Sequence, residues 1–301
     1  MNYQWYPGHM TKAVRMMQEN IKLIDLIIEL VDARIPLSSR NPDINELGKN
    51  KSRIVLLNKS DLADPVQNKQ WVQYFEDQGA HVLEINAKSG AGIKAISNLV
   101  QEACREKLER DKKRGIVNRP VRAMVVGIPN VGKSTFINSF TGKACTKTGN
   151  KPGVTKGKQW IRLNKNLELL YTPGILWPKF EDQRVGMNLA FIGSMNDEII
   201  VQEELACDLI MVISQYYPHA LGERYGWTDG QDTGEMQMDE GVPGVLQTVL
   251  TEQEAAQILE RIAVSRKCFA KGEEPDLSRA ASLFIDDFRS GRLGRMTLER
   301  R

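Results

Sequence analysis

Cysteine is nearly absent from this chain, and so are the spacings that make it useful. The four present (Cys104, Cys145, Cys207 and Cys268) form no C-x-x-C pair, which argues against a zinc site and against a disulfide framework. No apolar run approaches the ~20 residues that span a bilayer. The best, Leu23 to Val31, is short and carries Asp25 and Glu29, so it is expected to be a sheet strand. The first residues lack the basic flank, apolar stretch and small-residue cleavage site of a signal peptide. Internal repeats and low-complexity tracts are also missing. The expectation is a cytoplasmic protein with no membrane partner.

What is present fits an ordinary globular composition, with 41% hydrophobic and 26% charged residues in 301. That length builds one large domain or two modest ones. A net charge of +3 conceals an asymmetry. Residues 186–301 hold 20 acidic and 11 basic side chains, whereas residues 1–185 hold 18 acidic and 30 basic ones. Such a split marks regions with different surroundings, and the basic part suits phosphate-rich polymers. Its densest stretch, Arg105 to Arg122, sets eight Lys/Arg against three acids. The last residues reverse the local sign, with Arg289, Arg292, Arg295, Arg300 and Arg301 opposed only by Glu299.

Helical periodicity over Met10 to Ile21 leads into an apolar strand, Leu26 to Val31. A Pro-punctuated loop follows through Arg34, Pro36 and Pro42. Strands are then expected at Arg53–Leu57 and His81–Ile85, with a helix from Val66 to Asp77 closed by Gly79, and a long charged helix from about Ile93 to Lys113. The pattern restarts with a buried strand at Val121–Val126, a helix opening at Lys133, and a hairpin of Gln159–Leu163 with Leu167–Tyr171. Strands alternating with helices imply a mostly parallel α/β sheet with helices on both faces. Beyond Gly186 the apolar spacing is helical through Leu205–Ile213, Ala255–Val264 and Ala280–Phe288, and Asp229 to Gly244 reads as a loop. The expected organisation is an α/β domain over residues 1–185 and an all-helical domain over residues 186–301.

Chemistry concentrates in a few short segments. Gly127 to Thr135 reads G-x-x-x-x-G-K-[ST], a P-loop, between an expected strand and an expected helix. In such a loop the amides around Asn130, Val131, Gly132 and Thr135 turn toward phosphates, Lys133 reaches the β- and γ-phosphates, and the Ser134 hydroxyl ligates Mg²⁺. Asn58-Lys59-Ser60-Asp61 matches N-K-x-D at the end of a strand. Its Asp61 accepts two hydrogen bonds from guanine, which adenine does not offer, while the Lys59 stem covers the base. One strand later Asn86-Ala87-Lys88 is similar to the S-A-K loop whose amide contacts guanine, with Asn86 in place of Ser. Together these segments predict a site for GTP and GDP. The guanine motifs precede the P-loop rather than follow it, so the domain is circularly permuted.

Two further segments resemble GTPase switches. The Gly- and Lys-rich stretch Lys143 to Lys158 contains Pro152-Gly153-Val154-Thr155, in which Thr155 is expected to close on Mg²⁺. Tyr171-Thr172-Pro173-Gly174 is similar to Asp-Thr-Pro-Gly, where the Asp holds a Mg²⁺-bound water. Tyr171 supplies no such carboxylate, although the Gly174 amide remains to sense the γ-phosphate. Weaker Mg²⁺ dependence and slow intrinsic hydrolysis are expected.

These motifs and their order, with Trp5-Tyr6-Pro7-Gly8-His9-Met10, Val31-Asp32-Ala33-Arg34-Ile35-Pro36 and Pro173-Gly174-Ile175-Leu176-Trp177-Pro178, resemble the ribosome biogenesis GTPase A family (YlqF/RbgA type) over essentially the whole chain. The resemblance implies a GTPase, monomeric when free, that binds the precursor of the large ribosomal subunit, contacts its rRNA and promotes late assembly. It also implies that Ile175 stands where other GTPases carry glutamine, leaving His9 as the candidate for positioning or deprotonating the attacking water alongside Lys133. His81 and His219 are expected to be structural. Two alternatives remain at this stage: a GTP-sensing RNA-binding scaffold that hydrolyses little because of Tyr171, and a P-loop ATPase or kinase, which Asp61 speaks against.

Overall fold

The β-branched apolar runs form strands, and the sheet they build explains where each motif stands. A computed structural model describes residues 8–116, 119–146, 159–227, 235–238 and 246–301. Helix α1 (Gly8–Asn20) precedes β1 (Leu26–Asp32), which is buried at every position. It is followed by α2 (Pro42–Leu47), β2 (Ser52–Asn58), α3 (Pro65–Asp77) and β3 (His81–Ile85). Then come α4 (Ile96–Ala103), α5 (Arg105–Lys113), β4 (Val121–Val126), α6 (Lys133–Thr141), β5 (Gln159–Asn164), β6 (Leu167–Tyr171) and α7 (Gln183–Phe191).

The six strands lie in the order β3-β2-β1-β4-β6-β5. All neighbours are parallel except β5, which pairs antiparallel with β6. From β1 the chain goes to β2 on one side, and from β4 it goes to β5 and then β6 on the other. Neighbouring β1 and β4 therefore form a topological switch point, where ligands of open α/β sheets bind at the carboxyl edge.

Local chemistry sets the helix ends. Asp64 caps α3 by accepting from the Val66 amide at 2.8 Å, Pro65 occupies the first position, and Gly79 at φ 80° ends the turn. Asn41 does the same for α2, accepting from the Asp43 amide, in a stretch that reads as loop from sequence. The expected continuous helix from Ile93 to Lys113 is divided at Cys104, whose backbone (φ −104°, ψ 9°) leaves helical geometry. Residues before the break bury Ile96 and Val100, whereas α5 buries nothing. The break follows the change of surroundings.

Glu29, inside an apolar strand, is explained by Arg40, whose guanidinium lies 3.0 Å from its carboxylate. Trp71, Phe75 and Tyr74 of α3 pack with Val31, Val55 and Leu57 of the sheet. The last three residues join this unit. Glu299 accepts from the Leu37 amide (2.6 Å), the Ser38 amide (2.9 Å) and the Ser38 hydroxyl, while Arg301 lies over the Tyr74 ring at 3.5 Å. Burial pushes the Glu299 carboxyl up, against the pull of those donors. Glu299→Ala leaves them without a partner, so we expect a loss of about 2–4 kcal/mol in urea unfolding, with little change in secondary structure.

The chain divides into two compact units, one running through Leu189 with Glu299–Arg301 and the other Ala190–Leu298. The expected boundary at residues 185 and 186 falls inside α7, which sequence reading did not identify. In the second unit α8 (Gln202–Tyr216), α9 (Ala220–Tyr225), α10 (Glu252–Ser265) and α11 (Leu277–Arg289) surround a core that includes Leu209, Ile213, Ile262 and Phe284. Asp287 is buried among Arg224 at 2.8 Å, Arg292 at 2.7 Å and the Tyr225 hydroxyl. Burial alone raises its pKa, but these donors prevail and hold it below the ordinary carboxylate range. Arg289 binds Asp197 and the carbonyls of Ala190 and Phe191. The basic turn near the chain end thus has partners within the fold. The unit departs from all-helical in one respect: β7 (Glu235–Met238) and β8 (Leu246–Val249) form an antiparallel ribbon, and β7 lies within the stretch expected as loop.

Candidate functional site

Five motif segments stand at the carboxyl edge of five parallel strands. Asp32 ends β1, Asn58 ends β2, Asn86 follows β3, Gly127 follows β4, and Tyr171 ends β6. Asn58, buried, joins two of the loops. Its side-chain amide donates to the Val131 carbonyl at 2.8 Å, and its carbonyl accepts from the Ala87 amide at 3.0 Å. Motifs that are far apart and reversed in sequence are thereby stitched into one rim.

The P-loop is shaped by close approaches. At Gly127 (φ 149°) a Cβ would stand 2.6 Å from the Leu30 carbonyl oxygen. Gly132 (φ 100°) precedes α6, whose first-turn amides face the loop. Lys133 is buried, and its ammonium donates to the carbonyls of Gly127 at 2.9 Å and Ile128 at 2.6 Å. Gly174 lies against it: a Cβ there would stand 2.8 Å from the Lys133 Nζ and from Pro129. Ser134 and Thr135 are half-buried on the same turn, beside Val131, which is buried.

Burial pulls Lys133 down to about 7. A phosphate beside the amine favours its ammonium form, so binding should draw a proton from solvent at any pH between about 7 and the ordinary lysine value of 10.5. Below that window the amine is already charged. We therefore expect nucleotide affinity to fall as pH rises above 7, and titration calorimetry at pH 8 in buffers of different ionisation enthalpy to show net proton uptake.

Lys59 adopts φ 59° and Asn130 φ 56°, both in the left-handed region that costs a residue with a side chain about 1 kcal/mol or more. The two meet, with the Lys59 ammonium 3.1 Å from the Asn130 carbonyl oxygen. The same ammonium lies 2.8 Å from Asp32 Oδ2, and Arg34 holds that carboxylate through Nε and Nη2 at 2.9 Å each. Burial alone would raise the Asp32 pKa, but Arg34 and Lys59 outweigh it and hold the carboxyl far below the usual range. Sequence reading gave Asp32 and Arg34 no role. The available signal was an acid closing an apolar strand two residues before a base.

Asp61 is exposed, beyond the Ser60 amide that donates to the Ile85 carbonyl. Asn86, which stands in place of the Ser of an S-A-K loop, accepts from the Lys88 and Ser89 amides, so its side chain closes the turn. Ala87 is buried and Lys88 exposed. Thr155 and the lysines at 147, 151, 156 and 158 lie outside the described residues, as does the Trp5-Tyr6-Pro7 segment. His9 falls in α1, but its side chain is likewise outside the description.

The expected metal site fits poorly. The hydroxyls of Ser134 and Tyr171 share a hydrogen bond of 2.5 Å. Tyr171 thus brings a phenol to the hydroxyl that was to ligate Mg²⁺. The arrangement as a whole brings the P-loop, the Lys59 turn and the Asn86 loop together at one edge of the sheet.

The family model described as 50S ribosome-binding GTPase matches residues 122–238, from β4 through the P-loop onward, leaving the guanine-type motifs before it unmatched. Ribosome biogenesis GTPase A of Bacillus cereus is 42% identical over 299 residues, covering 99% of this chain and 94% of that protein. The mitochondrial ribosome-associated GTPase 1 of Mus musculus is 32% identical over 309 residues, 99% of this chain and 90% of that one. GNP-bound YlqF from T. maritima superimposes with a TM-score of 0.64 at 26% identity, over 96% of this chain and 98% of the other, and the GDP-bound form with 0.61 at 25%, over 95% and 99%.

Proposed function

The chain belongs to the ribosome biogenesis GTPase A family, and on that premise we propose that it binds GTP at the rim of its parallel sheet, hydrolyses it, and serves assembly of the large ribosomal subunit. It is a GTPase of ribosome biogenesis. The observation that carries the site assignment is Asn58, which ties the P-loop to the Asn86-Ala87-Lys88 loop and so unites the base-reading and phosphate-reading segments. In this reading Asn58, Lys59, Ser60 and Asp61 with Asn86, Ala87 and Lys88 hold the guanine. Asn130 to Thr135 hold the phosphates, Gly174 and Thr155 sense the γ-phosphate, and Lys133 stabilises the charge that develops on it. His9 is retained as the group that positions water.

The partner is the precursor of the large subunit and its rRNA, met in the cytoplasm by a monomer. Support for an RNA surface comes from Arg105, Arg110, Lys112, Lys113 and Arg114, exposed on α5 and its terminal turn. Lys107, by contrast, is engaged with Asp111 at 2.6 Å. The residues 190–298 unit is assigned to ribosome contact as well. Mg²⁺ enters this reading as a companion of the nucleotide's phosphates, with Thr155 the side chain left to it while the Ser134 hydroxyl is engaged by Tyr171.

GTP turnover measured with and without purified large subunits tests the proposal. We expect slow intrinsic turnover, acceleration by subunits, and subunit binding that weakens steeply with added salt. Turnover unaffected by subunits, with no binding to them, would remove the ribosomal part. Tyr171 beside Ser134 favours a second reading, a GTP-sensing scaffold that hydrolyses little. Nucleotide and subunit binding without turnover would select it.

A further inference from the structure

The Tyr171–Ser134 contact has a consequence for the metal that normally accompanies a nucleotide at this kind of loop. The phenolic oxygen of Tyr171 is 2.5 Å from the Ser134 hydroxyl oxygen. The two hydroxyls are therefore placed as hydrogen-bond partners of each other. A carboxylate at this position would have offered two acceptor oxygens and a negative charge to a hydrated cation; the phenol offers one oxygen, already spent on Ser134.

Tyr171 is also held where it is. It is the last residue of β6, 3% exposed, opposite Val125 in β4 and Gln159 in β5. Its neighbour Thr172 donates through its hydroxyl to the Val125 carbonyl at 2.8 Å. Releasing Ser134 by swinging the ring away requires repacking a buried aromatic side chain between two strands.

We propose that Tyr171 withdraws Ser134 from metal binding, so that guanine nucleotides bind this chain with little dependence on Mg²⁺. The inference rests on the GTP-binding reading above and concerns regulation of that same site. Affinity then comes from the first-turn amides of α6, from Lys133 and from the guanine contacts, none of which needs an ion.

The test is the dissociation constant of a fluorescent N-methylanthraniloyl GDP, measured in excess Mg²⁺ and in EDTA, for the unmodified chain, Tyr171→Phe and Tyr171→Asp. For the unmodified chain we expect the two values to agree within about threefold, and for Tyr171→Asp we expect Mg²⁺ to tighten binding about tenfold or more. Tyr171→Phe keeps the buried ring and frees Ser134, so it should show a response above that of the unmodified chain even if the Asp variant folds poorly. A tenfold Mg²⁺ effect in the unmodified chain would overturn the proposal, as would variants that respond no more than it does. Absence of nucleotide binding in both conditions would overturn the GTP-binding reading and this inference with it.

Discussion

Asp61→Asn is expected to lower GTP affinity by roughly a hundredfold or more and to give the site a preference for xanthosine nucleotides. In the proposed site the Asp61 carboxylate accepts from the guanine N1–H and from its exocyclic amine, two charge-assisted hydrogen bonds worth about 1.5–3 kcal/mol each. The amide of Asn keeps one acceptor for the N1–H but turns a donor toward the amine, so one of the two bonds is replaced by a donor–donor clash. Xanthine carries a carbonyl where guanine carries the amine, and that carbonyl accepts from the new amide. Competition of GTP, XTP and ATP against a fluorescent guanine nucleotide measures the exchange. Recovered binding of XTP shows that the variant folds, because Asp61 is exposed and belongs to no packed core. Equal loss for GTP and XTP would mean that Asp61 does not read the base.

Gly132→Ala should be the most damaging single methyl group in the molecule's phosphate loop. The backbone there has φ 100°, which an L side chain rarely adopts, and the added Cβ would stand 2.3 Å from Asn58 Nδ2. Asn58 is not a flexible end that moves aside. It is buried and fixed on both sides by the Val131 carbonyl and the Ala87 amide. Displacing it breaks both bonds, and with left-handed strain added the cost is about 3–5 kcal/mol. Nucleotide affinity is expected to fall by at least about a hundredfold, because the lost stitch releases phosphate and guanine loops together. Fluorescent-nucleotide titration measures the first effect, and urea unfolding the second. A Gly132→Ala protein that binds normally would show that Asn58 does not organise the rim.

Much of the fold was legible because its determinants are local. Leu26–Val31, Arg53–Leu57, His81–Ile85 and Val121–Val126 are apolar and β-branched over strand lengths, and all four form parallel strands within a residue or so of the expected limits. The hairpin of β5 and β6 follows from alternation around Asn164-Lys165-Asn166. What misled were positions where surroundings override local preference. The charged helix from Ile93 onward divides at Cys104 without a proline or glycine to announce it, because one part packs on the sheet and the other does not. Helix α7 runs across the expected boundary near residue 186, because a split in summed charge says nothing of where a helix begins or ends.

The sequence by itself determined which chemical pieces this protein has and the strand end on which each sits, since motif spacing and apolar periodicity are properties of neighbouring residues. It also determined that the guanine motifs precede the P-loop. Only the tertiary structure decided which pieces touch. Lys59 meets Asp32 across 27 residues, Asn58 meets Val131 across 73, and Tyr171 meets Ser134 across 37. Those pairings depend on the order β3-β2-β1-β4-β6, which brings separate strand ends side by side. Strand order is set by burial summed over the whole sheet, and no local run of residues encodes it.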